Sequence, residues 1–240
     1  MRGGKWGYLH FRLMHLNKTI QLKILVKNLI LPDTPNKIAK GSNPNMQKDI
    51  TVGIDLAGKA HNPTGWALLK NKRIQTYHLH TTKEILAHTF NCSATLVAID
   101  APLALPKKNA VREADRQMDK LGYPVFPPRF GAMKTLTLRA KKITKKLKEK
   151  ETHVIEVHPA STRKALGIPT KDWKHIQEIF QKIGYRGDIE KRTFTPHEID
   201  AVTAALTAHL YIKGKTKLVG EPKEGYIVIP LKNCWKRLQP

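Results

Sequence analysis

The stretch from Thr51 to Leu69, TVGIDLAGKAHNPTGWALL, restricts the fold more than any other part of the chain. Thr51, Val52 and Ile54 make an apolar β-forming run that stops at Asp55. Gly58, Asn62-Pro63 and Thr64-Gly65 then supply turn chemistry before Gly65 to Leu69 resumes the run. This predicts a strand that ends in an acid and a second strand that returns beside it. A lone carboxylate at the open end of a buried strand is costly to desolvate unless it is paired, hydrogen-bonded or bound to a metal. Asp55 is therefore the first candidate functional residue; the simpler account is that its side chain caps the turn.

The pattern recurs downstream. Arg73 to His80 alternates as a half-exposed third strand, Thr81 or Thr82 caps a helix running through Phe90, and Ala94 to Asp100, ATLVAID, is again an apolar strand closed by an acid. Three antiparallel strands followed by a crossover helix deliver this fourth strand parallel to the first. Asp55 and Asp100 then stand at carboxyl strand ends, where open α/β sheets bind ligands. A turn aspartate before Pro102 is the plainer reading of Asp100.

Val154 to His158, VIEVH, predicts another buried strand with Glu156 inside it and His158 at its end, both on one face. Glutamate is seldom fully buried without a partner, and a metal ion or a basic side chain would satisfy it; a wet, exposed face would also accommodate the pair. Ser161 is expected to cap a short helix through Leu166 that Gly167 closes. Thr195-Pro196-His197-Glu198 reads as a capping box opening a long helix, which accounts for Glu198 and leaves Asp200 as the acid free for a site. Thr203, Ala204 and Thr207 offer a small-residue face to the sheet, and Gly225 to Pro230, GYIVIP, is expected to add a late edge strand.

Two helices lie between these strands. Asn109 to Leu121 carries Arg112 and Arg116, which either pair with Glu113 and Asp115 or clamp a phosphate. Gly131 to Lys150 ends in seven Lys or Arg residues against Glu149, among them Arg139, Lys142, Lys145 and Lys146, and is a candidate phosphate-backbone surface or a solvated basic face. The proline-rich YPVFPPRF separates the two, and residues 172 to 191 read as an accessory helix and loop.

Asp55, Asp100, Glu156 and Asp200 thus form a carboxylate set in a chain with 43 Lys and Arg against 19 Asp and Glu, a formal charge of +24. Gathered acids repel unless cations intervene, and hard oxygen donors without a Cys or His cluster favour Mg2+ or Mn2+ over zinc. Two such ions ~4 Å apart are suited to phosphodiester hydrolysis. The basic excess points to a polyanionic partner, most simply DNA or RNA. Cys92 and Cys234 have no disulfide-framework or zinc spacing, no apolar run is long enough to cross a membrane, and a soluble cytoplasmic protein is expected. The oligomeric state is left open.

Residues 1–46 carry eight Lys or Arg against the single acid Asp33 and end in the linker-like GSNPN. They are expected to be a basic extension, either disordered or upstream of the translated start, since Met46 directly precedes the first core strand. Residues 47–240 form the folded domain.

The motifs VGIDLAGKA, TGWALL, AIDAP, READR, VIEVHPAST, HEIDAVTAALTA and EGYIVIP, spread over about residues 50 to 230, closely resemble the domain-of-unknown-function 429 family, whose members are predicted nucleases. The resemblance implies an α/β, ribonuclease H-like fold, a mixed sheet of about five strands flanked by helices. It places Asp55 in the first-strand position, Asp100 in the fourth and Asp200 in the last helix, with Glu156 as an extra acid on a fifth strand, off the usual layout. Two other classes are compatible with the residues: an ATP-binding phosphotransferase of the actin and sugar-kinase superfamily, whose phosphate turn also follows a strand aspartate, and a non-catalytic nucleic-acid-binding module.

Overall fold

The structure is a computed structural model and describes residues 49–239; the expectation for residues 1–46 lies outside them. Strands β1 (Ile50–Asp55), β2 (Thr64–Lys70) and β3 (Arg73–Leu79) form the expected antiparallel meander. Helix α1 (Thr82–Asn91) starts at the Thr81 capping box and returns the chain to β4 (Leu96–Asp100), parallel to β1 and in register, so that Asp55 stands opposite Asp100. Helices α2 (Glu113–Lys120) and α3 (Gly131–Lys148) lead to β5 (His153–Val157), parallel to β4.

The sheet has eight strands rather than about five, in the order β6-β3-β2-β1-β4-β5-β8-β7. Helices α4 (Pro159–Leu166) and α5 (Trp173–Lys182) precede β6 (Arg186–Gly187), a two-residue strand beside β3. A single turn, α6 (Asp188–Lys191), and the long α7 (Pro196–Ile212) follow. The closing hairpin is β7 (Thr216–Glu221) and β8 (Gly225–Pro230). GYIVIP is not an edge strand: β8 pairs parallel with β5 and antiparallel with β7, which takes the edge. Two residues of β6 and the half-polar TKLVGE of β7 carry too little periodic signal to be read ahead of their pairing.

Helices cover both faces. Ile85 of α1 and Ala140, Ile143 and Leu147 of α3 pack on Val52, Ile54, Trp66, Val97 and Ile99. On the other side α7 crosses the sheet centre, with Ala201 and Ala205 in one cluster and Ala204 and Ala208 against Leu96 and Ala98 in another. The small-residue approach is made by alanines: Thr203 and Thr207 instead face α4, where Arg163 donates to Thr203 and Thr162 bonds Thr207 at 2.8 Å. The sheet contributes Gly53 and Gly65, where any Cβ would lie 1.9 Å from the Ala201 carbonyl oxygen and 2.1 Å from that of His197. Thr51 locks the contact by donating to the Ala205 carbonyl at 3.1 Å.

The start of α7 is fixed by the capping box read from the sequence. Glu198 also accepts from Thr76 at 2.7 Å and from Arg192, and is almost wholly buried. Burial alone would raise its pKa, but the Arg192, Thr195 and Thr76 bonds outweigh that and hold it at about 2. A depressed carboxylate stabilises the fold fully above its unfolded pKa and loses that contribution as pH falls through the folded one. Glu198→Gln is therefore expected to cost roughly 1–3 kcal/mol at pH 7. It should also narrow the difference between melting temperatures at pH 7 and pH 3. An unchanged difference in thermal melts at the two pH values would contradict this.

Candidate active site

The parallel pairing of β1 with β4 sets Asp55 and Asp100 side by side at the carboxyl ends of adjacent strands. Because Gly53 and Gly65 let α7 lie directly on the sheet, its first turns bring His197 and Asp200 over those ends. His197 Nδ1 is 2.7 Å from Asp55 Oδ2, and that bond, reinforced by the charges of Asp55 and Asp200, raises the imidazole pKa. Asp100 lies well above the usual carboxylate range, first because burial disfavours its charge and then because Asp55 and Asp200 repel it, with Arg163 pulling the other way. Asp200 is raised by burial against the opposing pull of Arg163. A buried aspartate whose charge is disfavoured by two neighbouring carboxylates is an electrostatic setting that suits a hard divalent cation.

Asp200 accepts from Nη1 of Arg163, a 2% exposed side chain. That guanidinium also donates to Thr203 Oγ1 and to the Thr170 carbonyl, each at 3.2 Å, and its carbon lies 5.4 Å from the Trp173 ring centroid. Arg163 and His197 were not singled out by the sequence. His197 is three residues before Asp200, a spacing that puts both on one helix face and would have flagged it. Arg163 sits in the polar string STRKAL, and nothing local distinguishes it from a surface residue.

Glu156 and His158 line the same cleft as Asp55 and Asp100. Glu156 is not open to solvent. Its two oxygens accept from Arg112 Nη1 and Nη2 at 2.8 and 2.6 Å, and one also accepts the Leu103 amide at 2.7 Å. Of the two partners the sequence allowed, the structure supplies the basic side chain. Arg112, 1% exposed, is further held by Asp115 at 2.7 Å. Burial alone would lower its pKa, yet the bonds to Glu156 and Asp115 raise it. Arg112 thus does not share an exposed face with Arg116, and the two form no phosphate clamp. Arg116 pairs with Glu113 at 2.8 Å, the ordinary helix pair. The Glu156–Arg112–Asp115 group braces the loop after β4, through the Leu103 amide, against β5.

His158 is the N-cap residue of α4, bonded to Ser161 Oγ at 2.7 Å; Ser161 lies inside the helix and does not cap it. Burial, and secondarily Arg163, lowers the His158 pKa to about 4, so the ring is neutral at pH 7. Arg139 is also diverted from phosphate: it donates to the Ala57 carbonyl at 2.6 Å and to the His80 carbonyl, tying the turn after β1 to the end of β3. Lys142, Lys145 and Lys146 are exposed on α3, with Lys146 on Glu149 at 2.9 Å. An open groove of about 510 Å³ runs along this helix between Leu103, Lys141, Lys145 and Lys148.

The cleft itself holds about 200 Å³ and has an apolar wall of Val125, Met133 and Leu136, with the exposed Phe126 at its rim. Among the described residues no three His, Cys, Asp or Glu side chains converge into a complete cation shell, and no helix is long and apolar enough to cross a membrane. Asp55 and Asp100 fit a hard cation as a donor pair, Asp55 through the oxygen that His197 leaves free; Asp200 fits only in part, since the partner on its oxygen is itself a fixed cation, Arg163.

A model of the family described as a protein of unknown function, DUF429, matches residues 53–224. No curated protein matches the sequence. Two solved structures of Thermus thermophilus RuvC are similar at 14% identity. The one in complex with a Holliday junction substrate has a TM-score of 0.44 and the other 0.41, and each comparison covers 69% of this chain and 95% of that one.

Proposed function

This chain belongs to the DUF429 family, and we propose that it is a nuclease that hydrolyses nucleic-acid phosphodiester bonds with the help of a divalent cation, Mg2+ or Mn2+, held at its aspartates. The observation that carries this reading is the in-register placement of Asp55 and Asp100 at adjacent strand ends beneath Asp200, in a cleft beside a lysine-lined groove. The antiparallel meander followed by parallel β4 and β5 supports a ribonuclease H-like core to which β6, β7 and β8 are added.

Asp55 and Asp100 would hold the cation, which when bound polarises the phosphate and lowers the pKa of a water. The chain's own groups do the rest. His197 orients Asp55, Arg163 fixes Asp200, and neutral His158, its Nδ1 on Ser161, lines the cleft where it can hydrogen-bond the attacking water. Lys141, Lys145 and Lys148 attract the polyanion and release its counterions. The cleft of about 200 Å³ is below the ~300–1,000 Å³ of small-molecule pockets, which weighs against an ATP site at these aspartates.

The test is cleavage of labelled single-stranded, duplex and branched DNA and RNA with Mg2+ or Mn2+, for the wild type and Asp55→Asn. Cation-dependent cutting that disappears in Asp55→Asn is the expected outcome. Binding without cutting on every substrate would leave a non-catalytic nucleic-acid-binding module instead.

A further inference from the structure

The sequence alone leads to two cations at four acids, but the structure has already placed a positive charge among them. The Arg163 guanidinium is almost wholly buried on Asp200, fastened by Thr203 and the Thr170 carbonyl and covered by Trp173. Its Nε is buried with no hydrogen-bond partner, so the group is held in place by its Nη atoms and by charge rather than by a full complement of bonds. An arginine does not lose its proton in a protein, and a buried charge of this kind stays only where an anion is fixed beside it. Asp200 is that anion.

We propose that the site takes a single divalent cation on Asp55 and Asp100, and that Arg163 stands on Asp200 as a fixed cation where a second ion would otherwise sit. The proposal rests on the nuclease reading above and deepens it. Three ionised aspartates and one guanidinium leave two negative charges, which one divalent ion neutralises and two would reverse. Glu156 does not alter this choice, because Arg112 grips both its oxygens and the residual charge shared with Asp115 is one unit. Asp55 and Asp100 are also the only two of the four acids that the sheet register holds directly side by side.

The test is titration of the full chain with Mn2+ alone, followed by electron paramagnetic resonance, which distinguishes an isolated ion from an exchange-coupled pair. The wild type is expected to saturate at one ion per chain with an uncoupled spectrum. Arg163→Met, which frees Asp200, is expected to take up a second ion with coupling. Two coupled ions in the wild type would overturn the single-ion site while leaving the nuclease reading intact. A folded Arg163→Met that still binds one ion would overturn the role given to Arg163. No Mn2+ bound by the wild type would overturn the cation-dependent reading itself. Should Arg163→Met not fold, the wild-type stoichiometry decides alone.

Discussion

Asp100→Asn is expected to abolish cleavage and, without divalent cations, to make the protein more stable. Both effects come from one source. Burial and the charges of Asp55 and Asp200 hold the Asp100 carboxyl well above its usual range in the folded protein, while in the unfolded chain it ionises freely. An acid with a raised folded pKa binds more protons folded than unfolded between the two values. Stability therefore falls as pH rises through that window, and the deficit persists above it. Asparagine fills the same space with no charge to desolvate or repel. A gain of about 2 kcal/mol is expected at pH 7, a rise of roughly 4–8 °C in Tm for a domain of this size. Cleavage should drop roughly 10³-fold or more, since the variant removes a proposed cation donor. Adding Mg2+ reverses the order, because a ligand that binds only the folded wild type stabilises it by about 2.7 kcal/mol at one hundred times its Kd. Thermal melts with EDTA and with Mg2+ check this. An Asp100→Asn protein that melts below the wild type in EDTA would mean that Asp100 is a structural turn residue, the plainer reading that its sequence context allowed.

What the sequence revealed of this site depended on how far each signal reaches along the chain. The placement of Asp55 and Asp100 at strand ends was legible because an apolar run closed by an acid is a local pattern, and the three-strand meander before the crossover follows from turn residues and length. The start of α7 was legible for the same reason, since Thr195, Pro196 and Glu198 are neighbours. The partners were not. Glu156 called for a metal or a base, and the base is 44 residues away at Arg112, whose sequence context offered a helix pair, which Asp115 supplies, or a phosphate clamp, but not Glu156. Arg163 finds Asp200 across 37 residues and gains its burial from Trp173 and Thr203 on two other helices. Arg139, expected on a phosphate-backbone surface or a solvated basic face, instead binds carbonyls 59 and 82 residues away. A charged side chain's role is set by what the fold packs against it, and charge alone does not separate a surface lysine from a buried guanidinium.

Gly53→Ala is expected to be the most damaging single methyl group that can be added to this domain's centre. The new Cβ would lie 1.9 Å from the Ala201 carbonyl oxygen and 2.4 Å from the Ala205 nitrogen, and both are main-chain atoms of α7 that no rotamer change can move. Relief requires α7 to lift from β1 by more than an ångström along a buried face, breaking the bond from Thr51 to Ala205 and opening gaps around Ala201 and Ala205. Overpacking a rigid core usually costs 1–3 kcal/mol, and with backbone as the obstacle at least ~3 kcal/mol is expected, a large share of a typical 5–15 kcal/mol. Gly58→Ala is the control: its Cβ would meet Leu136 at 3.5 Å, an ordinary contact, and should change stability by less than ~0.5 kcal/mol. Urea unfolding of the two variants makes the comparison. Equal midpoints would show that α7 does not rest on bare backbone. Since the same contact carries His197 and Asp200 to Asp55, any Gly53→Ala protein that remains folded should also lose cleavage. Restoring its stability with an osmolyte should not restore that activity, because the helix would be displaced even when folded.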